Sequence, residues 1–391
     1  MAGALLVRVE LLATMSDASQ KVNTGHADMI VSCHFRPPSL PPSLPPSCFA
    51  WHLHSHHTTP HHANSPSYQH DCQMDYYSKL MATCSSDATV RVFDVAAHAA
   101  NPTGAQPLAE LRGHDGPVWQ ISWAHPKFGV LLASCSYDRT VVIWQQDERM
   151  QWKQVHKYTK HSSSVNAVKW APHECGLHLA AASSDGSVSI LSFRDGAGWP
   201  AAEPFEVSNM GCNAVDWAPH AHLGSVDGGS TVARLVTASC DNKIKVWKAT
   251  NINDSSQAPT FTLDCELPGG HEDWVRDVAW AYNTGMPCNT IASCSEDKRV
   301  IVWTQRTVGG DWASQMLSSD PFPFPVWRVS WSVTGAILAC AAGDATDSSI
   351  TLWKESWEGL GSGGGGGSDE RASVWQQISE VDEGGSLIER S

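Results

Sequence analysis

Short stretches of β-branched residues with a period of two, such as "TVVIW" at 140–144 and "KIKVW" at 243–247, recur along the chain between clusters of Asp, Asn, Gly and Pro. Each lies inside a longer repeated pattern. The segment "GHDGPVWQISWAHPKFGVLLASCSYDRTVVIW" (113–144) returns at 160–191 and again at 270–303. Looser copies end at Trp247 and Trp353, and a first copy ends "LMATCSSDATVRVF" at Phe93. Six units of this kind predict six four-stranded antiparallel blades, an all-β fold built by repetition.

The spacing inside the units is regular. Nine residues separate His114 from Trp123, His161 from Trp170 and His271 from Trp280. Six separate Asp87 from Phe93, Asp138 from Trp144, Asp185 from Leu191, Asp241 from Trp247 and Asp297 from Trp303, while Asp344 and Trp353 are pushed apart by "ATDSS". A blade covered on both faces needs nearly continuous apolar middle strands, with large rings to fill the wedge between neighbours. The inner strands are expected to carry Trp123, Trp170, Trp217, Trp280 and Trp331. A His and an Asp held near such an interior need hydrogen-bond partners there, so their repetition marks framework rather than catalysis.

This pattern of His, turn Asp and closing Trp resembles the WD-repeat family, whose fold is a β-propeller. The resemblance implies a hydrogen-bonded network within a blade. It joins His114, Asp138 and Trp144 through Ser134 or Ser136, and His271, Asp297 and Trp303 through Ser293 or Ser295; His161, Asp185, Asp241, Trp247, Asp344 and Trp353 are the remaining framework positions.

The repeat also measures an irregular segment. From His26 to Asp87 is 61 residues, against 24 from His114 to Asp138. Taking out residues 31–69 aligns "HADMI" joined to "HDCQMDYY" with "HEDWVRDVAW", so that Ile30 matches Val275 and Met74 matches Trp280. The tract therefore interrupts the first strand of blade 1. Its Val-Ser start, its Gln end and its pyrimidine-rich codons fit a retained intron, and residues 36–66 are expected to be irregular and exposed. The rival reading is a metal site made from His52, His54, His56, His57, His61 and His62, which has no paired Cys or ordered scaffold behind it. Residues 1–25 read as an N-terminal extension. Met15 is a natural start, leaving 1–14 as upstream sequence unless "ALLVRVELL" is an edge strand. The propeller then spans 26–381, and 382–391 is a tail.

Composition narrows the function. Charged residues are 17% and hydrophobic residues 42%, the balance of a globular protein. The net charge of −14 lacks the basic footprint of a protein that grips phosphate backbones, which argues against direct nucleic-acid binding. Arg8 and Glu10 break the only apolar start, so no secretory signal is read, and no apolar run reaches the length of a membrane helix. The twelve cysteines include no C-x-x-C pair and fall largely in apolar strands, as expected of buried thiols. No cofactor, metal or catalytic constellation emerges, and the chain reads as a non-enzyme.

Whole strings, among them "QMDYY", "LRGHDGPVWQISWAHPKFG", "SSVNAVKWAPH", "DWVRDVAWA" and "TLWKES", resemble one branch of the WD-repeat proteins, the family of small propeller subunits of the outer COPII coat. "SVWQQISEV" (373–381) can serve as the outer strand of blade 6, so the usual strand exchange that closes a ring is not expected. The resemblance implies an open six-bladed ring completed by a blade from a partner: Sec-thirty-one in the coat that shapes vesicles leaving the endoplasmic reticulum, or a helical nucleoporin in the Y-shaped complex of the nuclear pore. It implies a cytoplasmic protein, peripheral at the ER membrane, on COPII vesicles and at the nuclear envelope, with a further possible role in amino-acid signalling. The partner is expected near Met74, Tyr76 and Tyr77 of blade 1 and near Val329, Trp331, Val374 and Ile378 of blade 6. The alternative is a generic WD-repeat adaptor, such as a ubiquitin-ligase substrate receptor, for which seven closed blades are expected.

Overall fold

A computed structural model of the chain describes residues 69–391 apart from 101–105, 221, 228–229, 253–257, 283–287, 308, 345–347, 358–372, 382–386 and 390–391. Residues 1–68, the N-terminal extension and the interrupting tract up to Tyr68 with all seven of its histidines, lie outside the described residues. The Gly-rich run at 363–367 does too.

Six antiparallel sheets follow one another along the chain. Their innermost strands are Gln69–Met74, Val118–Trp123, Val165–Trp170, Cys212–Trp217, Val275–Trp280 and Val326–Trp331. The second strands are Leu80–Ser85, Leu131–Ser136, His178–Ser183, Arg234–Ser239, Asn289–Ser295 and Ile337–Gly343; the third are Thr89–Asp94, Val141–Gln146, Ser187–Ser192, Ile244–Thr250, Val300–Gln305 and Ser348–Trp357. Outer strands are Ala109–Arg112, Trp152–Tyr158, Phe205–Glu206, Thr260–Glu266, Ala313–Met316 and Ser373–Val381. All five predicted tryptophans sit at the ends of innermost strands. A hairpin, Val226–Asp227 with Ser230–Thr231, is inserted between the first two strands of blade 4.

Turn chemistry repeats with the strands. In the turn between second and third strands the Asp carboxylate accepts the N–H two residues on: Thr89 from Asp87, Thr140 from Asp138, Ser187 from Asp185, Lys243 from Asp241 and Arg299 from Asp297, at 2.9–3.1 Å. The residue between, Ala88, Arg139, Gly186, Asn242 or Lys298, takes positive φ, which a short Asx-type turn requires. Each innermost strand carries a β-bulge, at His70, Trp119, Asn166, Asn213, Arg276 and Trp327 in turn.

Two sequence expectations shift. Gln69, counted with the interruption, is the first residue of blade 1 and pairs with Ser85. It fills the slot taken elsewhere by Val118, Val165, Cys212, Val275 and Val326, all fully buried, whereas Gln69 is half-buried. A strand that needs a residue before its bulge takes whichever the chain supplies. The second concerns the tail, 382–391: Leu387–Glu389 pairs with Ser379–Val381 as a fifth strand of blade 6, because the long outer strand leaves an edge to pair. One short helix, Val95–Ala100, follows the third strand of blade 1.

The core is divided among the junctions. Ala82, Val90 and Ile121 share a cluster between blades 1 and 2, and Ile143 with Leu179 between 2 and 3. Val188 with Leu235 fills the junction of 3 and 4, Val236 with Ile291 that of 4 and 5, and Val302 with Leu338 that of 5 and 6. Because both faces are covered, the second strands of blades 2, 3, 4 and 5 are buried at every position. Cys84, Cys135, Cys294 and Cys340 lie in the second strands of blades 1, 2, 5 and 6 as free thiols, and burial pushes all four thiol pKa values up.

Candidate functional site: framework networks and the open junction

Two blades show the expected polar network. In blade 2, His114 Nδ1 lies 3.1 Å from Asp138 Oδ2, and Ser134 Oγ lies 2.8 Å from His114 Nε2. Trp144 Nε1 donates to the same Ser134 oxygen at 2.9 Å. Asp138 accepts only, so Nδ1 carries the proton, Nε2 accepts from the serine hydroxyl, and the hydroxyl accepts from the indole. Blade 5 repeats the arrangement through His271, Asp297, Ser293 and Trp303 at 2.8–3.0 Å. Of the paired serine candidates, Ser134 and Ser293 take the hub; Ser136 and Ser295 instead donate to Gly116 and Asp273 carbonyls in the turn.

Blade 3 reaches the same end with other residues. His161 bonds Asp185 at 2.9 Å, but the hub is Ser189 on the third strand, joined to Tyr158 Oη at 2.7 Å, with Leu191 where the Trp would be. In blade 4 Trp247 donates to Thr237, and the Lys245 ammonium links Asp241 to the Val207 carbonyl, taking the place of a His. In blade 6 Trp353 turns to Thr351 of its own strand, and Asp344 is exposed at the start of the stretched turn. Burial works against ionising Asp138, Asp185 and Asp297, but hydrogen bonds from His, Thr or Ser and backbone N–H groups outweigh it and hold all three below the usual carboxylate range. Burial lowers the pKa of His161, opposed by Asp185. In blades 2 and 5 every member of the network is satisfied inside the blade, so these residues hold it together, whereas Tyr158 reaches Ser189 from the outer strand of blade 2.

A second set of bonds runs between blades. Asp71 of blade 1 accepts the N–H of Ile121 in blade 2 at 3.1 Å, Gln120 accepts Val168 of blade 3 at 2.9 Å, and Asp277 accepts Val329 of blade 6 at 3.2 Å. Blades 3 and 4 carry Ala at this position and use neighbours: Asn166 donates to the Cys212 carbonyl, Asn213 to the Val275 carbonyl, and Asp216 accepts the Trp280 N–H. In return, the indoles of Trp123, Trp170, Trp217 and Trp331 donate to carbonyls of the preceding blade, those of Gln73, Ser122, Lys169 and Ala279, at 2.9–3.1 Å.

The junction from blade 6 back to blade 1 is different. Innermost strands of successive blades pack side by side from blade 1 through blade 6, and those of blades 6 and 1 make no comparable approach. Among the described residues their apolar groups form two separate clusters rather than one shared core, each cluster being itself buried. Blade 6 contributes Ile337, Ala339, Ala341, Ile350 and Leu352 with Ile378; blade 1 contributes Cys72, Met81 and Val95 with Phe93.

The sequence-predicted edge residues divide accordingly. Met74 ends the innermost strand of blade 1, half-buried, and Ile378 packs on the separate apolar cluster of blade 6. Val329 and Trp331 do not line the opening: both pack in the core shared with blade 5, where Trp331 donates to Ala279. The reason is strand alternation, which points the end-of-strand Trp back to the preceding blade. Val374 is 37% exposed on the outer strand, next to Trp375, which faces blade 5. Tyr76 and Tyr77 are exposed in the loop after Met74, and Tyr76 leans on His125 of blade 2 at 4.9 Å, away from blade 6. Sequence reasoning missed the alternate residues of the second and third strands of blade 6. Their opposite parity to Leu338, Cys340 and Trp353 was the signal available.

Six four-stranded blades in sequence, two of them held by a His–Asp–Ser–Trp network, define a WD-repeat β-propeller. The family described as WD domain, G-beta repeat matches residues 53–94, 105–145, 152–191, 205–248 and 259–304. The chain is 53% identical over 291 residues to the protein SEC13 homolog of Dictyostelium discoideum, covering 73% of this chain and 90% of that protein. It is 55% identical over 294 residues to protein transport protein SEC13 homolog A of Arabidopsis thaliana, covering 74% and 92%. Against protein transport protein sec13 of Schizosaccharomyces pombe it is 52% identical over 291 residues, covering 73% and 92%. The chain belongs to the SEC13 family.

Proposed function

We propose that this chain acts in protein transport as a non-enzymatic scaffold of the outer COPII coat, on vesicles moving from the endoplasmic reticulum to the Golgi, and that its open junction receives a β-blade from a larger partner. The relatives' names carry the transport role. The observation that carries the blade is the pair of separate apolar clusters on blades 6 and 1. Elsewhere in the ring such a face is covered by the face of another blade, and a strand-bearing partner satisfies both the apolar surface and the strand edges. In the coat the donor is Sec-thirty-one; at the nuclear pore a helical nucleoporin of the Y-shaped complex fits the same role. The protein is then cytoplasmic and peripheral, held at ER membranes, vesicles and the nuclear envelope by its partners. Among the described residues no helix is long and apolar enough to cross a membrane.

The test is to mix the purified chain with the blade-donating segment of Sec-thirty-one and measure mass by light scattering after size exclusion. A one-to-one complex is expected, with exchange protection gained at Ile337–Ala341 and Cys72. A segment that stays unbound, or binds without protecting those residues, refutes the reading.

A further inference from the structure

We propose that in the isolated chain the seam between blades 6 and 1 is filled by the chain's own N-terminal residues 5–12 (LLVRVELL), docked as a short helix where the donated blade would lie. Competition with that blade rests on the function proposed above; the filling of the seam does not. From blade 1 to blade 6, the second strand of each blade packs on the innermost strand of the next. Ile337–Gly343 of blade 6 makes no comparable approach to Gln69–Met74 of blade 1. The walls of this wider seam are covered all the same: Ile350 and Leu352 of blade 6 are 1% and 3% exposed, and Cys72 and Met81 of blade 1 are 2% and 3% exposed. Their clusters stay separate, so the two walls do not cover each other and a third element stands between them.

The chain itself points to the occupant. Its described part begins at Gln69, on the strand that forms one wall, so residues 1–68 leave from the seam. Among residues 1–68, no other eight in a row hold as many large aliphatic side chains as 5–12, which carry Leu5, Leu6, Val7, Val9, Leu11 and Leu12. A lone strand between two sheet faces would find no ladder partner for its N–H and C=O groups, whereas a helix bonds its own. At about 100° per residue, Leu5, Leu6, Val9 and Leu12 gather on one side and Val7 with Leu11 on the other, with Arg8 and Glu10 on the two flanks between. Two apolar sides are what two walls require. A helix about 10–12 Å across takes the room of one sheet layer. The segment is too short to be helical alone in water, so its order comes from the walls it covers.

The experiment compares the full chain with one beginning at Met15 and follows maleimide labelling of Cys72 under native conditions by peptide mass spectrometry. Cys135, fully buried in the core shared by blades 2 and 3, is the internal control. Without residues 1–14, Cys72 should label about tenfold faster or more while Cys135 stays protected, and the blade-donating segment of Sec-thirty-one should bind about tenfold more tightly because no competitor holds the seam. Equal labelling of Cys72 in the two chains overturns the proposal, since another segment or direct closure of the walls would then cover it. Should the shorter chain not fold, Leu5→Glu with Val7→Glu in the full chain charges both apolar sides and should expose Cys72 in the same way; unchanged labelling there is equally refuting. If neither chain binds the blade, the proposed partner is wrong, while Cys72 still decides whether residues 5–12 fill the seam.

Discussion

Ser134→Ala removes one hydroxyl and should cost far more than its size suggests. The Ser134 oxygen is fully buried, accepts from Trp144 Nε1 at 2.9 Å and donates to His114 Nε2 at 2.8 Å. Alanine leaves an indole N–H and an imidazole nitrogen without partners in a dry interior. Each orphan costs about 1–3 kcal/mol, so a loss of about 2–6 kcal/mol is expected. That is a large part of the roughly 5–15 kcal/mol available to a folded domain. Trp144→Phe deletes the donor but keeps most of the ring; alone it orphans no indole. In the double variant the orphaned N–H is gone, so the two losses should fall short of additive by about 1 kcal/mol or more. Urea unfolding of the wild type, both single variants and the double variant, followed by circular dichroism to avoid relying on the altered Trp, closes the cycle. A Ser134→Ala loss under about 0.5 kcal/mol, or additivity within about 0.3 kcal/mol, would refute the serine as hub.

Three further outcomes are expected. Burial raises the Asp71 carboxyl to about 6, against the opposing pull of Arg328 and the N–H groups of Ile121 and Cys72. Its folded pKa therefore exceeds the unfolded one, so its stabilising contribution is complete below about pH 4 and is lost as pH rises through about 6. Asp71→Asn should accordingly be more stable than wild type by about 1–2 kcal/mol at pH 8 and show no advantage near pH 4, read from unfolding midpoints across that range. Gly186→Ala should cost at least about 2 kcal/mol in the same unfolding assay, because φ is +84° and an added Cβ would sit 1.8 Å from the Ser208 carbonyl oxygen, which belongs to rigid backbone. Gln69→Ile should raise the thermal midpoint, by about 1 kcal/mol in stability, because it restores an apolar group to the slot that five blades fill with buried Val or Cys; a midpoint equal to or below wild type would count against that slot being part of the core.

Much of the fold was written locally. The period-two stretches, the Asp that caps its own turn, and the nine-residue interval from His to Trp depend on a few neighbouring residues, so six blades and their strand order could be read directly. The outer strand at 373–381 was legible for the same reason, with the bounds that the structure shows. The His114, Asp138 and Trp144 set was legible because it repeats with its blade, but the choice of Ser134 over Ser136 was not: both lie on one strand two residues apart and point the same way, and only the approach of the His ring separates them. Replacement by Ser189 and Tyr158 in blade 3, and by Lys245 in blade 4, was hidden because different residues reach the same place in space.

What tertiary structure alone decided was direction around the ring. A strand's alternation says that Val329 and Trp331 share a face, but not which neighbour that face meets. The order of blades and the twist of each sheet turn the Trp toward the blade before it, placing both residues against blade 5 and Ile337, Ala339 and Ala341 in a separate cluster on the opposite face. Which junction stays unmerged was likewise hidden, because packing and register between distant strands are fixed only when the ring is assembled.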